Sequence, residues 1–197
     1  MATATHRQDR DLVRRAAQGD EQAWRAIYED TCQPLFNFLC FQAGDRETAR
    51  DLLQDTYLRA LRHLDGYRGD GPLLSWLRGI ALRLTLDWRR GLGRRLRQMV
   101  ALQTESGDLD LAAPDRSDAR EADLGVSGHV FQDALRQLSP KQRACLVLHE
   151  LEDLPFADVA REVGCAEATA RVHHHRATQR MRELLAYPVD EMGGQQA

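Results

Sequence analysis

The sequence predicts an all-α protein, two helical modules joined by a flexible acidic linker, with a helix-turn-helix in the second module. Three observations predict this. Apolar residues recur at three- and four-residue spacing along most of the chain, and no convincing strand interrupts them. Periodicity fades between Gly107 and Gly128 into Gly, Pro, Ser and Asp, which is linker composition. Residues 154–185 then carry two helical patterns hinged on Gly164. With 197 residues and 43% hydrophobic content, the chain can fill one large core or two small ones.

Taken in order, a first short helix is predicted over Asp9 to Gln18, broken by Gly19, with Asp20 placed to cap the next. The second runs from Glu21 to about Phe41, carrying Trp24, Ile27, Tyr28, Leu35, Phe38 and Leu39, with Pro34 expected to kink or split it. After Gly44, Asp45 caps a third helix whose apolar face is Ala49, Leu52, Leu53, Thr56, Tyr57, Ala60, Leu61 and Leu64. The loop DGYRGDGP stops it. A fourth helix, Leu73 to about Arg90, is apolar over much of its surface, and Gly91 and Gly93 are expected to end it.

In the second module, Phe131 to Leu138 is one helix, and Ser139 caps the next with Pro140 in its first position. The helix-turn-helix follows. Val159, Ala160 and Val163 share a face of its first helix, Gly164 permits a left-handed turn, and Cys165 and Ala170 close the apolar side of its second. That second helix offers Thr169, Arg171, His173, Arg176 and Arg180 on its outer side, donors suited to phosphates and guanine edges, with Glu167 near the positive end of the helix dipole. The alternative is an ordinary amphipathic pair whose basic residues are merely solvated. Pro188 to Ala197 reads as a frayed tail.

Net charge is −3, so no global basic signal exists, yet charge is unevenly placed. Arg68, Arg78, Arg83, Arg89, Arg90, Arg94, Arg95 and Arg97 crowd one stretch, and Glu105, Asp108, Asp110, Asp115, Asp118, Glu121 and Asp123 the next. Lys141 is the only lysine, which a GC-rich genome explains at least as well as selection for phosphate contacts. Neither a signal peptide nor a membrane span is visible, so the expected location is the cytoplasm. Cys32, Cys40, Cys145 and Cys165 lack paired metal-ligand spacing and read as four buried, reduced thiols.

Two stretches resemble one family. Residues Asp45 to Arg90 look like the second conserved region of bacterial sigma factors of the extracytoplasmic-function group, and Ala134 to Ala177 like their fourth region. The order, spacing and linker length agree. The resemblance implies domains at 1–95 (core polymerase and minus-10 binding), a linker at 96–127, a minus-35 binding domain at 128–187 and a tail at 188–197. It implies as partners the RNA polymerase core, through the β′ clamp helices and β flap, promoter DNA and an anti-sigma factor, with no cofactor.

By the same resemblance Asp51, Leu52, Gln54, Asp55 and Thr56 dock on the clamp helices. Tyr67, Arg68 and Asp70 form the minus-10 base-reading loop, while Arg78, Arg83, Arg89 and Arg90 hold the single-stranded backbone. Trp76 is expected in the core, and Trp88 stays open between core and stacking platform. Thr169, Arg171, His173, His175 and Arg176 meet the minus-35 element. The sequence departs from the family at Arg83, where an asparagine is usual, and at His173 to His175, with His174 in the place of a buried leucine. A metal site from that run and Cys165 is disfavoured, because adjacent helical residues point apart. No phosphate loop, nucleophile motif or ligand cluster stands out, so no catalysis is expected. Two rival readings are an operator-binding regulator and a sigma mimic that binds an anti-sigma factor without a promoter.

Overall fold

The computed structural model describes residues 2–106 and 126–185, with side chains described over 7–92 and 130–185. Among the described residues every regular element is helical: α1 (Ala2–Ala17), α2 (Glu21–Ala43), α3 (Arg46–Arg62), a 3-10 turn (Leu64–Gly66), α4 (Leu73–Ser106), α5 (Val126–Arg136), α6 (Pro140–Glu150), α7 (Phe156–Val163) and α8 (Glu167–Leu185). The chain divides into two compact units between Glu121 and Ala122. The acidic run beyond Ser106 and the expected tail lie outside the described residues.

In the first unit, local capping sets the helix starts. The Asp20 carboxylate accepts from the backbone N–H groups of Gln22 and Ala23 at 3.0 and 3.1 Å. Asp45 accepts from Thr48 N at 2.7 Å. Gly44, at φ +91°, ends α2 in the left-handed conformation. Pro34 does not split α2, which runs unbroken through it. The carbonyl that loses its helical donor belongs to Asp30, an exposed residue, so water can satisfy it. Gly91 and Gly93 do not end α4 either. Each glycine costs about 1 kcal/mol relative to alanine, too little to stop a helix among strong helix formers.

The core of this unit joins Ile27, Leu35, Phe38 and Leu39 of α2 with Ala49, Leu52 and Ala60 of α3 and Leu77 and Ala81 of α4, all essentially buried. One polar pair crosses it. Thr31 donates its hydroxyl to the Ile27 carbonyl at 2.6 Å, so the Tyr57 hydroxyl, 2.8 Å away, donates to Thr31. Burial pushes the Tyr57 pKa up to about 12, keeping it a proton donor at any physiological pH.

In the second unit, Ser139 and Gln142 form a reciprocal capping box at the start of α6, with Pro140 just inside it. Residues Ala144 to Leu148 are all buried, and α6 packs mainly on α8. Ala170 and Ala177, fully buried, lie two turns apart on α8 and let the two helices approach closely. Arg143 is buried at the foot of α6 with its guanidinium 3.4 Å from the Leu138 carbonyl. Of the four cysteines only Cys145 is fully buried; Cys32, Cys40 and Cys165 are half-buried, and all four are free thiols.

Candidate functional site

Helix α8 is positioned by the turn before it. Gly164 takes φ +68°, where a side chain would be strained, and α7 buries Val159, Ala160 and Val163 beneath. Ala170, Ala177 and Met181 face inward, so Thr169, Arg171, His175 and Arg176 face out. Arg171 is already engaged: its guanidinium bonds Glu167 at 2.7 Å and rests 4.5 Å over the Phe156 ring. Arg180 is committed to Glu183 and to Gln137 in the turn after α5.

The three consecutive imidazoles enter three different surroundings. His175 is exposed. His173 is half-buried rather than outward, with Nδ1 buried and lacking a hydrogen-bond partner. Its burial, and then the charges of Lys141 and Arg176, hold its pKa below the ordinary histidine value, so it does not supply a phosphate-binding cation at neutral pH. His174 occupies the slot where an apolar residue is expected, its side chain 17% exposed. It is satisfied there by Glu150, whose Oε1 lies 2.6 Å from Nε2, and by edge-on packing against His149 and Phe156.

On α3 the structure separates the five residues expected at a polymerase face. Asp51, Gln54 and Asp55 are exposed. Leu52 and Thr56 are buried, the latter bonding the Leu52 carbonyl at 2.6 Å, because they lie on the stripe that packs against α2 and α4. The exposed face continues through Arg50 and Gln54 into a largely apolar cleft lined by Trp24, Tyr28, Leu53, Tyr57, Leu58 and Leu61.

The minus-10 set divides similarly. Arg68, Asp70, Arg83 and Arg90 are exposed. Tyr67 is not a surface reader: it is 9% exposed, donates to the Gly71 carbonyl at 2.8 Å and packs on Trp76. Burial, then the nearby Asp9 charge, pushes its pKa well above the usual phenol range. Arg78 is 4% exposed, with its guanidinium over the Phe38 ring, and Arg89 is half-buried and donates to the Gln42 carbonyl at 3.1 Å. Burial also lowers the Arg89 pKa. Both are held against α2. Trp76 and Trp88 are half-buried.

Sequence reading missed what shapes this loop. Asp9 of α1 accepts from Leu73 N at 2.9 Å, capping α4 from a residue 64 positions away. Gly69 has φ +74°, and a Cβ built there would lie 2.2 Å from Arg10 Cδ. No local signal marks Asp9 or Arg10, since their partners are remote in sequence.

Among the described residues both units are built of helices, with a helix-turn-helix in the second and, in the first, a loop bearing Arg68 that leads into an arginine-rich helix, which places the chain in the class of helix-turn-helix proteins. The Sigma-70 region 2 model matches residues 27–95 and the Sigma-70, region 4 model residues 129–181. The chain is 30% identical over 172 residues to the extracytoplasmic-function sigma factor SigL of Mycobacterium tuberculosis, covering 86% of this chain and 93% of SigL. It is 30% identical over 177 residues to BldN of Streptomyces coelicolor, spanning 89% of this chain but 65% of BldN. In fold it is similar to RpoE solved with the anti-sigma factor NepR from Bartonella quintana (TM-score 0.63, 24% identity, 83% and 97% of the two chains). It is also similar to CnrH solved with the cytosolic domain of CnrY (TM-score 0.61, 21% identity, 90% and 97% coverage). The chain belongs to the extracytoplasmic-function sigma factors, which are non-enzymatic initiation factors of transcription.

Proposed function

We propose that this sigma factor binds core RNA polymerase through the exposed face of α3, reads a minus-35 element with α8 and opens a minus-10 element with the loop after α3. The observation that carries the reading is the presence, in one chain and in this order, of a region 2 unit and a region 4 unit whose exposed arginines lie on the loop and the helix that DNA would meet. No helix among the described residues is long and apolar enough to cross a membrane, which supports action in the cytoplasm. In vitro transcription with purified core polymerase on a randomised promoter library tests it. Discrete start sites that depend on the chain are expected; operator-like binding without transcripts would favour a regulator acting without polymerase.

On the clamp-facing side, Asp51, Gln54 and Asp55 form the polar rim, with Leu52 and Thr56 supporting them from the core. Asp55→Arg should weaken core polymerase binding while leaving helical content and melting temperature nearly unchanged, since a charge reversal at an exposed site opens no cavity. Unaltered pull-down by the folded variant would remove α3 from the interface. The apolar cleft beside it exposes Tyr28, Leu58 and Leu61, a surface suited to a protein partner. Because two fold relatives were solved with anti-sigma partners, an anti-sigma factor is the second occupant we assign to this side.

At the minus-35 element, Thr169, His175 and Arg176 are the outward donors, Arg171 is prepositioned by Glu167 and Phe156, and His173 supports the helix from its flank. Arg176→Ala should cost about 1–3 kcal/mol of binding and relax preference at one base if the side chain reads a guanine edge. A uniform loss on all sequences, with a shallower salt dependence, would reassign it to phosphate. At the minus-10 element, Arg68 and Asp70 meet bases, Arg83 and Arg90 meet the strand, and Tyr67, Arg78 and Arg89 hold the scaffold in place.

A further inference from the structure

We propose that His149, Glu150 and His174 form a binding site for one divalent transition-metal ion, Zn²⁺ by preference, that ties the end of α6 to the middle of α8. The three side chains offer two imidazole nitrogens and a carboxylate oxygen within 4.8 Å of one another. His149 is already oriented as a ligand: its Nδ1 lies 2.9 Å from the Leu154 carbonyl, which fixes the proton on Nδ1 and leaves the Nε2 lone pair available. Its ring is held by stacking on Phe156 at 4.0 Å between centroids.

His174 approaches edge-on at 4.8 Å, and its Nε2 already points at Glu150 Oε1, 2.6 Å away. An ion about 2 Å from each donor takes the place of that hydrogen bond and needs the three atoms roughly 3.4 Å apart, so Glu150, more than half exposed, would draw back slightly from His174 while the separations to His149, at most 4.8 Å, close. Two nitrogens and one carboxylate oxygen leave a fourth, solvent-facing position, a donor set that suits Zn²⁺ over Mg²⁺ or Ca²⁺. Two of these ligands, His149 and Glu150, are neighbours in the last turn of α6, and the Glu150 carboxylate meets His174 of α8, so the donors converge between two helices, which the run His173 to His175 on one helix does not. The ion would sit behind Phe156, whose ring carries Arg171, so binding would stiffen the seat of the DNA-facing helix.

The test uses the full chain without an affinity tag. Titration of the metal-free protein with Zn²⁺ alone should show one ion per chain. It should also raise the second unit's melting temperature by roughly 10 °C or more at a hundredfold excess over Kd. His174→Leu and His149→Leu, which place apolar groups in half-buried slots, should abolish the shift; Glu150→Gln should weaken it, and a His173→Asn, His175→Asn double variant should keep it. Co²⁺ bound to the parent chain should give the intense visible absorption of a four-coordinate site, a readout that does not depend on any variant folding. Equal Zn²⁺ binding by parent and folded His174→Leu, no thermal shift in the parent, or a six-coordinate Co²⁺ spectrum would each overturn the site and leave a hydrogen-bonded His174–Glu150 pair.

Discussion

Leu148→Ala should destabilise the second unit by about 2–5 kcal/mol, because Leu148 is 1% exposed within the α6 layer that packs on α8 and the cavity cannot collapse around rigid neighbours. A unit of this size has only a few kcal/mol in hand, so a substantial fraction should be unfolded at 37 °C. The first unit has its own core and should not follow. All three tryptophans, Trp24, Trp76 and Trp88, lie in the first unit. Tryptophan fluorescence should therefore keep the parent's urea transition, while far-ultraviolet circular dichroism gains an earlier one. Minus-35 binding should be lost with core polymerase binding retained. Coincident shifts of both signals would show that the two units unfold as one.

Gly69→Ala should both destabilise the first unit and abolish promoter opening. At φ +74° a Cβ is strained, a cost of about 1–3 kcal/mol. It would also overlap the Arg10 side chain, whose Cγ and Cδ lie 2.3 and 2.2 Å from that Cβ position. The two costs separate experimentally. Adding Arg10→Ala removes the overlap and should restore part of the stability, while the backbone cost remains, so the double-mutant cycle should show a clear coupling. Permanganate reactivity of minus-10 thymines should fall in the single variant and recover partly in the double, with minus-35 binding unchanged in both. Full recovery on adding Arg10→Ala would mean that the left-handed backbone matters little.

Much of the fold was legible because its causes are local. Asp20, Asp45 and Ser139 cap helices through bonds spanning two or three residues, and Gly44 and Gly164 stop them for reasons carried by their own φ angles. The boundaries misread at Pro34 and at Gly91 and Gly93 are places where one unfavourable residue was outweighed by helix formers on both sides, while α1 and α5 also begin earlier, at Ala2 and Val126, than the expected Asp9 and Phe131. The candidate site was legible only as residue types. Exposed α8 donors other than His173 followed from the 3.6-residue period, but two of the five expected minus-10 arginines, Arg78 and Arg89, are drawn out of the surface against α2.

By itself, the sequence determined the all-helical class, the two periodic regions, the caps and the helix-turn-helix, since each depends on residues within a turn or two of one another. Only the tertiary structure decided which polar groups stay available. Arg78 and Arg89 are drawn against α2, Tyr67 is locked beside Asp9 from 58 residues away, and His174 finds Glu150 across 24 residues. Burial and partner choice depend on which helices pack together, and an arginine or histidine carries the same local signal whether it ends in solvent or in a core.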